Sequence, residues 1–206
     1  MSAATPPPKR PAATGKGARK RAELLDTAEE ILLASGHAEL SLRAVATAAG
    51  VRLGHLQYYF PTRADLVSAV LGRALDRSLE RLRPLLAGRD TAAGPEPEPV
   101  VRALLAEHDD VHLVRLFAEL WALAARDEAV AAAVRRFYGD YQDQVAAFLR
   151  TRNPGLTDAF CQGRARVFVM LMEGAALFRS GIAADRTETA DTQLVAVATA
   201  LLHGCE

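Results

Sequence analysis

A glycine–valine step at residues 50–51 separates two short apolar-periodic segments and limits what the chain can fold into. Gly50 tolerates the positive φ of a tight turn. Ala46 lies one helical turn earlier, where a small side chain lets a second helix cross closely. The apolar residues of this stretch then pack inward: Val45, Val51, Leu56 and Phe60. Two short helices that cross at a steep angle around such a turn are typical of a helix-turn-helix.

If Leu56 and Phe60 face the core, the polar residues of the second segment point outward and are free to contact another molecule. In a helix-turn-helix the second helix enters the major groove of DNA by its N-terminal part. Glutamine can read adenine, arginine can read guanine, and an apolar side chain can contact the methyl group of thymine. We therefore expect an outward, DNA-reading face; the alternative is an exposed polar face on an ordinary small bundle. The face comprises Arg52, Leu53, His55, Gln57 and Tyr58.

The periodicity of the chain is helical throughout and predicts an all-α protein. Half of the 206 residues are hydrophobic, whereas β-branched and aromatic residues are sparse. No stretch alternates convincingly as a strand. The predicted helices cover about 17–35, 42–49, 53–59, 63–86, 100–126 with a possible break near 107–110, 128–152, 158–180 and 189–203.

The first residues form a basic, Pro/Ala-rich segment without an acid up to residue 22. Residues 1–16 are expected to be disordered, and residues 9–21 could follow the DNA backbone or minor groove as a flexible arm. A tail that only adds solubility is equally compatible. No signal peptide or membrane span is expected. Two distant cysteines, Cys161 and Cys205, fit a reduced cytoplasm.

The segment "SLRAVATAAGVRLGHLQYYFPTRADLVSAVL", residues 41–71, resembles the N-terminal pattern of the tetracycline-repressor (TetR) family of bacterial transcriptional regulators. The matching residues are Ser41, Ala46, Gly50, Val51, Gly54, Leu56, Tyr59 and Phe60. The chain departs from the pattern at three positions. Gln57 replaces a frequent tyrosine, Arg52 stands where serine usually caps the helix, and Arg63 replaces lysine. The first two departures imply an operator sequence of its own.

The resemblance implies a DNA-binding domain at 17–64 and an effector-binding and dimerisation domain at 65–206, joined by the long fourth helix. It assigns backbone contacts to Ser41, Tyr59 and Arg63, and base reading to Arg43, Leu53, His55, Gln57 and Tyr58. Leu42 and Arg52 complete the expected DNA-binding set. A ligand-released homodimeric repressor is the function that this implies. The ligand would hold the two DNA-reading heads at a spacing that no longer matches successive major grooves.

The second domain carries aromatic residues that are candidates to line an effector cavity, although a packed core would use the same residues. The expected ligand-binding set is Phe117, Trp121, Phe137, Tyr138, Tyr141, Met170 and Glu173. Glu173 interrupts an apolar helix that should be buried on more than one face, and no cation on its own helix can pair with it. An arginine from elsewhere is its favoured partner, ahead of a dimer contact or a ligand.

The last two helices resemble the family's dimer interface, a four-helix bundle with two helices from each subunit. Gly174, Ala175 and Ala176 allow close helix approach. A two-fold dimer would read a palindrome-like operator. The alternative for this domain is dimerisation or a protein partner without a small molecule. A cavity near Trp121 and Tyr141 would argue against that alternative.

The chain carries no GxSxG, HExxH, Walker loop or dinucleotide fingerprint, so we do not expect an enzyme or a cofactor. His108 and His112 are spaced i, i+4 beside acids that could ligate zinc. Since no further ligand cluster stands out, a solvated polar segment is the favoured interpretation.

Overall fold

The computed structural model describes residues 15–87 and 96–203, and within these ranges every regular element is a helix. The all-α fold class is confirmed. None of the described helices is both long enough and apolar enough to cross a bilayer. The elements are α1 Gly15–Glu39, α2 Leu42–Ala48, α3 Leu53–Tyr59, α4 Arg63–Ala87, α5 Pro97–Glu107, α6 Val111–Ala124, α7 Glu128–Arg152, α8 Asp158–Arg179 and α9 Glu188–His203.

The chain divides into two compact units, Met1–Val67 and Ser68–Glu206, and the division falls inside α4. The boundary expected from the sequence, between residues 64 and 65, lies in the same helix. The expected arm of residues 1–16 lies outside the described residues, apart from its last two positions.

The first unit is built around buried side chains of α1, with α2 packed against α1 and α3 packed against α2. Gly36 interrupts α1 with a φ of 75°, close to the predicted end of this helix. The predicted inward residues Val45, Leu56 and Phe60 are buried, and Val51 is half-buried. The core of this unit consists of Leu24, Leu25, Ala28, Leu32, Leu40, Val45, Ala46, Leu56, Phe60, Leu66 and Val67.

The short helices begin and end where local hydrogen bonds can satisfy their backbone. The Ser41 hydroxyl accepts from the amide of Ala44 and caps α2. Gly50 adopts a φ of 63°, and the Val51 amide then donates to the carbonyl of Ala46. Thr62 and Asp65 bond reciprocally at the start of α4, as a capping box does. These bonds set the turn that presents α3.

The second unit packs α7 against α6 and α8, while α9 packs against α5 and α8. The predicted long helix over 100–126 is broken at His108–Asp110, and the Asp110 carboxylate caps α6. The large core residues of the second unit include Leu104, Leu120, Phe137, Tyr141, Phe148, Leu149, Phe168 and Met172. The expected loop at 88–99 lies largely outside the described residues.

Candidate functional site

Helix α3 separates its side chains into a buried and an exposed face. Leu56 is fully buried, whereas His55, Gln57 and Tyr58 are exposed, Tyr58 to 68%. A large aromatic side chain left this open has no role in the core of the unit. The outward polar face inferred from the sequence is therefore present, and it lies next to the turn at Gly50.

Tyr59 holds the exposed rings of α3 in place. Its ring meets the ring of His55 edge-on, with centroids 5.5 Å apart, and the ring of Tyr58 at 5.1 Å. Such edge-to-face contacts are favourable for aromatic pairs. The face that α3 presents is therefore partly ordered before anything binds.

The remaining candidates lie at the starts of α2 and α3. Arg43 is exposed and Leu42 is half-buried. The Ser41 hydroxyl, which accepts from Ala44, keeps its own hydrogen to donate. Arg52 occupies the N-cap of α3 and makes no side-chain capping bond there. Leu53 is half-buried beside it.

Arg63 donates hydrogen bonds within the first unit, which the sequence did not predict. Its Nε donates to the carbonyl of Leu40 at 2.7 Å, and Nη2 donates to the carbonyl of His37. These carbonyls belong to the end of α1 and the link to α2. A guanidinium has five N–H donors, so a phosphate could still be bound. Its role as a phosphate contact remains a prediction, next to this structural role.

We expect Arg63→Ala to lower the free energy of unfolding of the chain by about 1–2 kcal/mol, because two carbonyls lose a charged donor. Thermal unfolding followed by circular dichroism measures the loss. Arg43→Ala is the matched control, since Arg43 is exposed and starts the neighbouring helix. Equal unfolding temperatures for the two variants would contradict the structural role of Arg63.

The second unit contains a cavity between α4, α5, α6, α7 and α8. Its volume is about 60 Å³, which leaves room for a compact group. Its wall is mainly aliphatic and aromatic. The lining residues are Ser78, Arg81, Leu82, Leu104, Glu107, His108, Leu113, Val114, Phe117, Trp121, Phe137, Tyr141, Glu173 and Ala176.

Most of the residues expected to bind a ligand come together in this wall. Phe117, Trp121, Phe137, Tyr141 and Glu173 line the cavity. Tyr138 lies behind Trp121, whose indole N–H donates to the Tyr138 hydroxyl at 2.9 Å.

The prediction that Met170 lines the cavity is wrong. It is 68% exposed and does not line the cavity. Its helix is apolar on several faces, so periodicity alone could not tell which face turns inward.

Glu173 has a different partner from the arginine favoured by the sequence interpretation. The Tyr138 hydroxyl donates to its carboxylate. Among the described residues, no arginine or lysine forms an ion pair with it. Burial raises the pKa of Glu173 to about 7, although the bond from Tyr138 opposes that rise. Burial likewise raises the pKa of Tyr138 and Tyr141 above their usual range.

His108 lines the cavity, although the sequence analysis did not predict it. The expected solvated segment is wrong at this position, because its Nδ1 is buried and without a hydrogen-bond partner in the described structure. Burial, followed by the nearby Arg179 charge, lowers the pKa of His108 to about 4. The described residues contain no cluster of three or more metal-ligating side chains. The break between α5 and α6, which turns His108 inward, is the signal that could have identified it.

One face of α8 and α9 is apolar and open. Val167 and Val197 are about half exposed, as is Phe178. On α8, Gly163, Val167, Met170 and Gly174 recur at helical spacing and form a stripe with small residues at its ends. On α9, Ala196, Val197 and Ala200 are exposed. The expectation that α8 is buried on more than one face is not met within one chain.

The N-terminal third of the sequence contains a match to a known family. Residues 24–70 match the family model described as bacterial regulatory proteins, tetR family. An uncharacterised helix-turn-helix transcriptional regulator, in the dhlA 5′ region of Xanthobacter autotrophicus, is 34% identical over 131 residues. That alignment covers 62% of this chain and 64% of the relative, so the chain spans somewhat less than two thirds of it.

Solved structures share the fold over nearly the whole chain. A protein of Pseudomonas aeruginosa PAO1 described as a transcriptional regulator superposes with a TM-score of 0.77 at 22% identity, covering 91% of this chain and 90% of the other. A protein of Saccharomonospora viridis, also described as a transcriptional regulator and solved in complex with choline, gives a TM-score of 0.69 at 14% identity. It covers 91% of this chain and 97% of that one.

Proposed function

We propose that the chain, which belongs to the TetR family of bacterial regulatory proteins, is a homodimeric transcriptional regulator. It would bind a palindrome-like operator and respond to a small molecule. The observation that carries this proposal is the exposed face of α3. His55, Gln57 and Tyr58 project from a helix whose opposite side is buried at Leu56. Side chains of these types read base edges in the major groove.

Phosphate contacts would fix the position of this helix on DNA. Arg43 and Arg52 are exposed at the starts of α2 and α3, and Ser41 keeps a hydroxyl hydrogen. Phosphate contacts set register and orientation, whereas base contacts supply the sequence preference. The assignment of Tyr59 and Arg63 to the backbone follows the family pattern.

A second copy of the chain is the proposed occupant of the open face on α8 and α9. Contiguous exposed apolar surface on a soluble protein indicates an interaction site. Small residues on both helices, Gly174 on α8 and Ala200 on α9, permit close helix approach. Two copies related by a two-fold axis would form a four-helix bundle and present two α3 helices to a palindrome.

The cavity beside Trp121 and Tyr141 supports a ligand-responsive domain over a module that only dimerises. A protein of the same fold, from Saccharomonospora viridis, has been solved with choline. Release of DNA on ligand binding, and hence repression, is part of this proposal. The ligand would act by binding one of two conformations more tightly.

Selection of bound fragments from random double-stranded DNA, at a stated salt concentration, tests the proposal. We expect a consensus with two inverted half-sites about one helical turn apart. Affinity should fall steeply as salt rises, because phosphate contacts release counterions. No enrichment at moderate salt would refute DNA recognition by the unliganded chain.

We expect Gln57→Ala and His55→Ala each to relax the base preference by about 1–3 kcal/mol at the positions they read. Repeating the selection with each variant measures this loss. Ser35→Ala, an exposed polar position on α1, is the control and should leave the consensus unchanged. If Gln57→Ala selects the same consensus with the same discrimination, base reading lies elsewhere on the first unit.

A further inference from the structure

The cavity of the second unit is an aromatic enclosure around one carboxylate. The rings of Phe117 and Trp121 lie 6.2 Å apart, those of Phe117 and Phe137 5.5 Å apart, and those of Phe137 and Tyr141 6.4 Å apart, so the rings form a continuous wall. Glu173 lines the same space. A carboxylate against aromatic and aliphatic groups costs free energy unless an opposite charge or several donors compensate it.

The other charged groups of the wall cancel each other. Nε of Arg81 lies 2.6 Å from Oε2 of Glu107, and Nη2 of Arg81 donates to Ser78. His108, with its pKa lowered to about 4 mainly by burial, is neutral near pH 7. When Glu173 is ionised, it is therefore the uncompensated negative charge of the cavity.

A relay of hydrogen bonds holds that carboxylate in place without neutralising it. The Trp121 indole donates to Tyr138, and the Tyr138 hydroxyl donates to Glu173. One phenol satisfies only part of the acceptor capacity of a carboxylate, which has about four lone-pair sites. The remaining capacity is available to a ligand.

We propose that this cavity binds a compact organic cation, an alkylammonium group seated against the aromatic rings with Glu173 as its counter-ion. The inference rests on the proposed function, since it names the ligand class of the same domain. Aromatic faces attract ammonium groups through the negative potential of the ring, and enclosures of several rings bind quaternary ammonium groups. The volume of about 60 Å³ suits such a head group.

Other ligand charges fit this wall poorly. An anion would face the uncompensated carboxylate of Glu173, with the Arg81 guanidinium already paired to Glu107. An uncharged apolar ligand would remove water from Glu173 and supply no charge in return. A cation gains from both the carboxylate and the rings.

The proposal predicts that the affinity for a cation depends on pH, and the ionisation of Glu173 sets the direction of that dependence. Its pKa of about 7 means that acid removes the counter-ion. Affinity for a cation should fall as the pH drops below 7, by at most about tenfold per pH unit, and level off above it. The titratable or charged groups around Glu173 are Tyr138 and Tyr141 from α7, Glu107 from α5, His108 directly after α5, and Arg81 from α4. His108 is neutral above pH 5 and both phenols are neutral below pH 10, because their pKa values are displaced away from this range.

The test uses Trp121, the one tryptophan of the chain, as a fluorescent reporter inside the site. The full chain is titrated with choline, with tetramethylammonium, and with 3,3-dimethylbutan-1-ol, the uncharged isostere of choline. We expect saturable binding of both cations and at least about tenfold weaker binding of the alcohol. The same titrations at pH 5.5 and 8 should show stronger cation binding at the higher pH.

Glu173→Gln keeps the size of the side chain and removes its charge. It should weaken choline binding by about tenfold or more, abolish the pH dependence, and leave binding of the alcohol unchanged. Asp140→Asn is the matched control, because this exposed carboxylate lies on α7 next to Tyr141. Circular dichroism confirms that both variants are folded, and Glu173→Asp should keep part of the preference for the cation.

The proposal would be overturned by the absence of a saturable response to either cation, or by equal binding of choline and its uncharged isostere. Unchanged choline affinity in Glu173→Gln would also overturn it. DNA selection is a separate readout. Cation binding without DNA enrichment would refute the proposed function alone, whereas DNA enrichment without cation binding would refute this ligand class alone.

Discussion

Replacing Phe60 by alanine is expected to lower the stability of the first unit by about 3–5 kcal/mol, the largest loss that we expect from one substitution in this unit. The Phe60 side chain is 1% exposed at the C-terminal end of α3. The Arg21 guanidinium lies 5.1 Å from the centre of its ring, so a cation–π contact is lost as well. A loss of this size approaches the whole stability of a small domain, and DNA binding should disappear with it.

Urea unfolding of the full chain, followed by circular dichroism, measures the effect, and DNA titration measures its consequence. Phe60→Leu should recover most of the stability because it refills most of the cavity. Tyr58→Ala is the matched control, since this neighbouring aromatic is exposed on the same helix. It should weaken DNA binding while the chain stays folded. If Phe60→Ala and Tyr58→Ala unfold at the same urea concentration, the inward role of Phe60 is refuted.

The turn and caps of the first unit could be predicted because each depends on residues close in sequence. Ser41 caps the helix that it precedes, and Thr62 with Asp65 forms a local reciprocal pair. Gly50 has the positive φ that its position in the turn requires. The partners of Arg63 could not be predicted, because Leu40 and His37 reach it only after α1 and α4 have packed.

The cavity was only partly predictable for a similar reason. Aromatic residues at helical spacing on α6 and α7 indicated which helices carry the wall, and Phe117 and Tyr141 line it. Their periodicity does not encode a hydrogen bond between helices. The relay from Trp121 through Tyr138 to Glu173 joins α6, α7 and α8, so it requires the tertiary fold.

The error at Met170 points to a partner for the apolar face of α8. The apolar sequence of this helix predicts burial on several faces and places Met170 in the cavity. In one chain, Val167, Met170 and Val197 remain open to solvent. Both observations agree if a second copy covers this face, as proposed. The apolar pattern of α8 is then explained by burial in the interface between two copies, and not by burial inside one chain.

Placing charges on that face should separate the two copies and weaken operator binding by about 100-fold or more. In the double variant Met170→Glu, Val197→Glu, two carboxylates per subunit would have to be desolvated in the interface. Each chain should still fold, because both side chains are more than half exposed within it. A lone subunit contacts one half-site and loses the gain in affinity that comes from linking two.

Light scattering after size-exclusion chromatography measures the mass, and titration with a full palindrome and with one half-site measures the DNA response. The double variant should elute at the mass of one chain, 22.1 kDa, and bind both DNAs with similar affinity, whereas the unchanged protein should elute at twice that mass and prefer the palindrome. Val111→Glu is the control, since Val111 is an exposed apolar residue at the start of α6. A carboxylate is also favourable at a helix N-terminus, so this variant should remain a dimer. If the unchanged protein runs at 22.1 kDa at the concentration where it binds DNA, the two-fold arrangement is wrong, and the open face of α8 and α9 must serve another partner.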